Sequence, residues 1–457
     1  MSKLVSTNPS KNYEVIGEVE VSTEQDVIAA VARAHDAKKA WRDLGVKGRI
    51  ELLRKVSNEF SKNKQRFAEL ESQEMGMPIK EAVDDIDFGL NYLNSYLDTA
   101  EKHLEPIITL KNDKEVHEVF REPYGVSACI APWNTPLANF VWQCGQSLVA
   151  GNVIIFKHSE ETPLCGQAIE DVLNSVLPSG VFSEVYGDAE VGELLVNQDV
   201  NLICFTGSTK TGTKINTIAA SRLIPTVLEL GGSAPGIIFE DIDINKVIET
   251  VYLFRFLNCG QLCDALKRLI VHESKVDEVI AKLTELVKSK KIGSALDQQT
   301  DIGPLVAKRQ LELLEEQLKD AVDRGAKVII GGKRPADLKG AYYEPTLLTN
   351  ITKDMRVWQE EVFGPVLPII PFKDEAQAIR MANHTKYGLG AYVFTTDNDR
   401  FMRVAQQLES GMVSQNTLSY INVCNPFTGY KMSGGGREHA QFGFDEVTQI
   451  KVIAREK

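Results

Sequence analysis

Apolar residues recur along the first hundred positions with helical spacing. Val27, Val31, His35 and Trp41 follow roughly one helical face behind Ser22 and Gln25, which have the spacing of a capping box. Ile86, Leu90, Leu93 and Leu97 repeat the pattern at intervals of four and three. From residue 125 the texture changes. Short apolar runs ended by glycine or polar turns, GVSACIAP, NVIIFKHS, NLICFTGS, TVLELGG and APGIIFED, alternate with helical stretches. Runs of this kind suit strands buried on both faces of a parallel sheet, and their alternation with helices predicts an α/β architecture.

After Gly232 the alternation starts again with RLIVHE, a helix near Lys275–Lys288 carrying Val276, Val279, Leu283 and Leu286, then KVIIGG and LPIIPF. Two successive α/β blocks predict two domains with a cleft between them. A length of 457 residues agrees, because it exceeds the size at which one core stops growing. The C-terminal DEVTQIKVIAREK alternates Val447, Ile450, Val452 and Ile453 imperfectly and reads as an edge strand, whose unpaired backbone would seek a second subunit.

Charge and composition narrow the function. A formal charge of −12 with no basic run argues against nucleic acid as a partner. No run of roughly 18 apolar residues marks a membrane span, and MSKLVSTNPSKNYEVIGEVE lacks the apolar core of a secretory signal, so a cytoplasmic protein is expected. Seven scattered cysteines fit a reducing compartment better than a disulfide framework.

Two of those cysteines, Cys259 and Cys263, stand four apart in FLNCGQLCDALKR (256–268). No second Cys or His pair has metal spacing, so no metal site is expected. Gly260 would let a ligand approach the backbone beside Cys263, whereas the adjacent Asp264 would raise its thiol pKa; a structural thiol and a nucleophile both fit. CFTGSTKTGTK (204–214) follows an apolar strand and opens a helix, where backbone N–H groups suit a phosphate. It misses both the P-loop, since Thr213 precedes Lys214, and the three-glycine dinucleotide fingerprint, since only Gly207 and Gly212 are present. Glu229 ends an apolar strand before two glycines, and Asn134 lies between two prolines in APWNTP. Each alone also reads as a strand end or a turn.

In order along the chain, APWNTPL, NVIIFKHSEETPL, FTGSTKTG, LELGGSAP, NCGQLC, EEVFGPV, GLGAYVFT and GYKMSGGGRE resemble the NAD(P)-dependent aldehyde dehydrogenase superfamily over about residues 5 to 457. The resemblance implies an α/β fold with a Rossmann-type cofactor domain (1–104 and 124–232), an α/β catalytic domain (233–424) and a small β oligomerisation arm (105–123 and 425–457). A homodimer or homotetramer is implied with it. It implies that Cys263 attacks a small-molecule aldehyde, that Asn134 and the backbone N–H of Cys263 hold the oxyanion, and that Glu229 is the general base. Lys157, Ser159 and Glu160 would meet the adenosine ribose, Gly207 and Ser208 the pyrophosphate, and Glu361, Phe363 and Trp133 the nicotinamide end. Because Glu160 would repel a 2′-phosphate, NAD is expected as cofactor, with NADP as the alternative.

The chain also departs from the superfamily's pattern. Leu262 and Asp264 flank the nucleophile in place of small or hydroxyl-bearing residues, and Gln143 stands where many members carry a lysine. Trp142 occupies the position at which succinate-semialdehyde enzymes carry an arginine. With Phe140, Trp142 and Phe427 in the tunnel, an aromatic or medium-chain aldehyde is the first expectation. An amino- or trimethylammonio-aldehyde held by Asp264 and an aromatic wall is the second, and a semialdehyde acid the third. A nucleotide-dependent phosphotransferase built on GSTKTGTK and a non-catalytic binding protein are the alternatives from other classes.

Overall fold

The helical spacing of the first hundred residues yields four helices, Glu24–Asp43, Gly45–Lys62, Lys64–Met75 and Ile79–Leu104, behind an antiparallel hairpin of Lys3–Asn8 and Glu14–Glu20. The computed structural model describes residues 2–417 and 419–457. The first helix starts one residue later than the Ser22/Gln25 spacing predicts. Thr23 is its cap, accepting from Asp26 N at 3.2 Å while the Asp26 carboxylate accepts from Thr23 N at 2.8 Å. Ser22 is committed elsewhere, exchanging hydrogen bonds with the Tyr186 backbone through its N–H (2.8 Å) and Oγ (2.9 Å).

The apolar runs after residue 125 form a six-stranded sheet in the order Gly434–Gly435, Thr226–Glu229, Leu202–Thr206, Val126–Ile130, Val153–Lys157, Phe182–Glu184. Only Gly434–Gly435 is antiparallel to its neighbour. The second block forms a seven-stranded sheet in the order Lys327–Ile330, Thr346–Thr349, Val366–Phe372, Leu266–His272, Ala234–Ile238, Gly390–Phe394, Met412–Gln415. It is parallel except at Lys327–Ile330. Each sheet carries its own core, and Trp142 and Ile421 pack against both.

A third sheet, of three antiparallel strands, pairs Thr448–Glu456 with Glu115–Pro123 and that with Ile107–Lys111. Thr448–Glu456 is an edge, and Ile450 (70% exposed) and Val452 (63%) stand on it in water. Of residues 425–457, only this strand lies in the third sheet; Gly434–Gly435 returns to the six-stranded sheet beside Glu229. Among the described residues no helix is long and apolar enough to cross a membrane.

The early helices fix the parts of the site in place. On Lys64–Met75, Glu71 accepts from Leu137 N (3.2 Å) at the start of helix Pro136–Ala150, and Glu74 accepts from Leu164 N (2.9 Å) and Cys165 N (2.7 Å) at the start of Pro163–Val176. Carboxyls at helix N-termini satisfy orphan N–H groups and face the positive end of the dipole. Both are buried, and burial raises their pKa values, Glu74 to about 6.

Candidate active site

A cleft of about 660 Å³ is lined by Thr206 and Glu229 of the six-stranded sheet and by loop residues of the second block, Cys263, Asp264, Glu361 and Phe363, and a second cavity of about 360 Å³ continues from it past Pro132, Thr206 and Gly207, which border both. Cys263, Asn134 and Glu229 all face the larger one.

The bend before Cys263 is made by three successive left-handed residues, Asn258 (φ 50°), Cys259 (φ 55°) and Gly260 (φ 74°). Two of them carry a Cβ, so the bend is strained and must be held from outside. A Cβ on Gly260 would lie 2.7 Å from the Gly364 carbonyl, which excludes other residues there. The restraints are hydrogen bonds from several elements. Glu81 accepts from Asn258 N (2.7 Å), Asn258 Nδ2 donates to Asn134 O (2.8 Å), and Val306 N donates to Gln261 Oε1 (2.9 Å). Asn134 Nδ2 donates to Gln261 O (3.0 Å) while its Oδ1 accepts from Asn139 (3.2 Å), tying this amide to the loop that carries the thiol.

The bend separates the two cysteines. Cys259 is buried behind the loop, and Cys263 is half-buried on the cleft wall. Burial, aided by Asp264, pushes the Cys263 thiol well above its ordinary value; Lys267 opposes this, and Glu361 and Glu229 add to it. Glu229, on the far wall, is buried with neither carboxyl oxygen hydrogen-bonded. Burial and the neighbouring Glu438 raise its pKa, and burial raises that of Glu438 too. Two buried carboxyls that repel each other do not both ionise readily, so the pair can hold a proton at neutral pH.

The smaller cavity is lined by Lys157, Ser159 and Glu160, and Gly207 joins it to the larger one, where Ser208, Trp133, Glu361 and Phe363 lie. Ser208 caps helix Thr209–Ser221 by accepting from Thr211 N (3.3 Å), so the start of that helix faces the junction. Lys157 is buried and donates to His158 O (3.0 Å). Trp133 and Phe363 meet edge to face at 5.6 Å. A strand end opening onto a helix start, a buried lysine, and carboxylates at both ends of the trough form a donor set that fits a dinucleotide. Among the described residues no group of three or more His, Cys, Asp or Glu is placed to hold a metal ion.

Residues 2–453 match the aldehyde dehydrogenase family. The chain belongs to that family. The dehydrogenase is 36% identical over 451 residues to mitochondrial succinate-semialdehyde dehydrogenase of Oryza sativa subsp. japonica, covering 98% of this chain and 85% of that one. It is 37% identical over 462 residues to chloroplastic betaine aldehyde dehydrogenase of Amaranthus hypochondriacus, covering 98% and 92%. Its fold superposes on the NAD+ complex of an aldehyde dehydrogenase from Bacillus cereus with a TM-score of 0.96 at 32% identity, covering 100% and 93%. It is therefore an aldehyde-oxidising, NAD(P)-dependent oxidoreductase of α/β fold.

The dehydrogenase's pocket differs from the sequence expectation at one wall. Phe140 is not in the cleft: it is 2% exposed and packs against Phe60, Phe156 and Phe182 at ring distances of 5.5–6.0 Å. On helix Pro136–Ala150 the cleft face is set by Ala138, Asn139 and Trp142, and residue 140 lies nearly opposite residue 138. Trp142, Leu262, Asp264 and Phe427 do line the cleft, and Trp142 and Phe427 pack at 5.1 Å. Gln143 turns inward and donates to Ile130 O (3.1 Å).

Sequence reasoning missed the opposite wall. Glu81, Asp84, Asp85 and Phe88, spaced along one face of Ile79–Leu104, line the cleft. Burial raises Glu81 to about 8 and Asp85 to about 7. Together with Asp264, Glu229, Glu361 and Glu438 they crowd the cleft with carboxyl groups, several of which burial keeps partly protonated at neutral pH. Alternating charge and apolar positions in KEAVDDIDF were the available signal, but they read equally well as a solvated helix face.

Proposed function

We propose that the enzyme oxidises an aldehyde bearing a positive charge to the corresponding carboxylate, with Cys263 as nucleophile. The observation that carries the substrate class is the acidic row Glu81, Asp84 and Asp85 facing the same cleft as Cys263, with Asp264 next to Cys263 in the chain and Trp142, Phe88 and Phe427 on the same lining. Carboxylates and aromatic faces together suit an ammonium group. An anionic tail would meet repulsion from the same residues in their ionised forms.

The chemistry follows from the residues. The Cys263 thiol gives up its proton to water in the open cleft and its sulfur adds to the aldehyde carbon as the carbonyl π bond breaks, making a tetrahedral thiohemiacetal whose oxygen carries the charge. Asn134 Nδ2, now donating to the Gln261 carbonyl, and the Cys263 N–H would turn that donor capacity on the oxyanion. When bound, the nicotinamide ring supplies a hydride acceptor for the aldehyde hydrogen. Loss of that hydrogen leaves a thioester on Cys263. Glu229 then takes a proton from water as its oxygen attacks the thioester carbon, and the thiolate leaves with the acid released. The neighbouring Glu438 raises the pKa of Glu229 and so its readiness to take that proton.

A second reading, a neutral aromatic or medium-chain aldehyde, draws support from the apolar walls made by Phe88, Trp142, Leu262 and Phe427. kcat/KM for betaine aldehyde, 4-aminobutanal, hexanal, benzaldehyde and succinate semialdehyde, each with NAD and NADP, separates the readings. The cationic aldehydes should lead; a lead by hexanal or benzaldehyde selects the second reading, and one by the semialdehyde sinks both. Cys263→Ser should abolish aldehyde-dependent NADH formation with every substrate.

The exposed apolar residues of strand Thr448–Glu456 support assembly with a second copy through the third sheet, as a homodimer or homotetramer. Seven free cysteines support a reducing, cytoplasmic setting. Division into a cofactor domain (1–104 and 124–232), a catalytic domain (233–424) and an arm (105–123 and 425–457) draws support from the three larger sheets, save that within 425–457 only Thr448–Glu456 joins the sheet of the arm.

A further inference from the structure

Lys267 is the second residue of strand Leu266–His272, and its side chain is 1% exposed. Lysines are almost never buried to that degree without a partner. Its Nζ donates to the Cys263 carbonyl at 2.5 Å and to Glu361 Oε1 at 2.8 Å, and it lies 5.5 Å from the centre of the Phe363 ring. The same Glu361 oxygen accepts from Gly232 N at 3.1 Å. One buried cation thus holds both the loop of the thiol and a carboxylate on the cofactor side of the cleft.

We propose that Lys267 is a positioning residue that ties Cys263 to Glu361 and supplies the positive field under which the Cys263 thiolate forms, with Glu361 setting how much of that field reaches the sulfur. The inference rests on the reading of Cys263 as the nucleophile. The charges around the thiol come from every neighbouring element. Asp264 on its own loop, Glu361 on the loop after Arg356–Gln359 and Glu229 at the end of Thr226–Glu229 all oppose ionisation, and Lys267 favours it. Tyr392 and Tyr420, hydrogen-bonded to each other at 2.6 Å and to Asp264, lie buried behind it. Both stay neutral, because burial pushes their pKa values well up.

The consequence has a sign. Neutralising Lys267 makes the thiol harder to ionise. Neutralising Glu361 removes the counter-charge from Lys267 and makes the thiol easier to ionise. Any group that draws the Glu361 carboxylate away from Lys267 acts as the second change does.

The test reads the thiol with neither aldehyde nor cofactor present. Alkylation of Cys263 by iodoacetamide is followed by peptide mass from pH 6 to 10 in a Cys424→Ser background, because Cys424 is exposed and would react too. Below the inflection the rate tracks the thiolate fraction, so Lys267→Met should lower it about tenfold at each pH, Lys267→Arg should hold it near wild type, and Glu361→Gln should raise it. A Lys267→Met profile that superimposes on wild type overturns the proposal, as does a Glu361→Gln profile that fails to rise. If Lys267→Met does not fold, by circular dichroism and thermal melting, the Glu361→Gln direction decides alone. Failure here leaves NADH formation by the wild type untouched, so it is distinguishable from failure of the dehydrogenase reading of Cys263.

Discussion

The acidic wall makes substrate preference depend on pH in a way that a neutral substrate does not share. Burial holds Asp85 at about 7, and burial, aided by Asp301 and Asp84 against the Asn258 N–H, holds Glu81 at about 8. Each carboxyl is neutral below its value and negative above it. A fixed cation such as a trimethylammonium group prefers the negative form, so its binding is favoured above these values and lost as pH falls through them. For a single site at about 7, the fraction ionised rises from about one tenth at pH 6 to about nine tenths at pH 8, roughly a tenfold gain in apparent affinity. Glu81 extends the rise past pH 8.

The rate constants themselves also carry the ionisation of Cys263 and of the Glu229–Glu438 pair. Those contributions are common to all aldehydes and cancel in a ratio. The quantity to measure is therefore kcat/KM for betaine aldehyde divided by kcat/KM for hexanal, from pH 6 to pH 9. It should climb about tenfold between pH 6 and pH 8. In Asp85→Asn the climb should shrink and shift toward the value of Glu81. A ratio that stays flat in the wild type would refute the argument, since the carboxyls would then have no part in holding the cation.

Three further outcomes follow from the same structure. Glu229→Gln should leave hydride transfer intact but slow thioester hydrolysis by about 10² to 10⁴, so that rapid mixing shows a burst of NADH equal to the enzyme concentration and then a slow phase; loss of the burst itself would move Glu229 to an earlier step. Phe140→Ala should cost about 3–5 kcal/mol in denaturant unfolding with KM for hexanal unchanged, because the ring fills the core against Phe60, Phe156 and Phe182; a large change in KM at little cost in stability would return it to the pocket. Ile450→Glu with Val452→Glu should lower the mass found by light scattering to that of the single chain, about 50.7 kDa, if Thr448–Glu456 meets a second copy.

What the linear pattern revealed and what it hid have the same physical cause, which is that hydrophobicity reports burial but not its direction. The runs GVSACIAP, NVIIFKHS and NLICFTGS became strands Val126–Ile130, Val153–Lys157 and Leu202–Thr206 because a strand buried on both faces has only one reading. Helix Val276–Lys288 was equally legible, since water on one side leaves a periodicity. Helix Pro136–Ala150 is buried at every position but Trp142, so its periodicity vanishes, and nothing in its sequence tells that Phe140 turns to the core while Trp142 turns to the cleft. The converse error hid the acidic wall. Charges on Ile79–Leu104 read as a solvated face, and the packing of that helix against Pro136–Ala150 and, through Glu81, against the Asn258 bend brings Asp85 to the cleft of a thiol 178 residues further along the chain. Lys267 is the sharpest instance: at the start of strand Leu266–His272, beside Arg268, a lysine is expected to escape to water, yet it stays buried because Cys263 O and Glu361 hold it. A polar group in a buried strand should therefore be read as a question about its partner, and here the partners are the backbone of the nucleophile and a carboxylate of the cofactor trough.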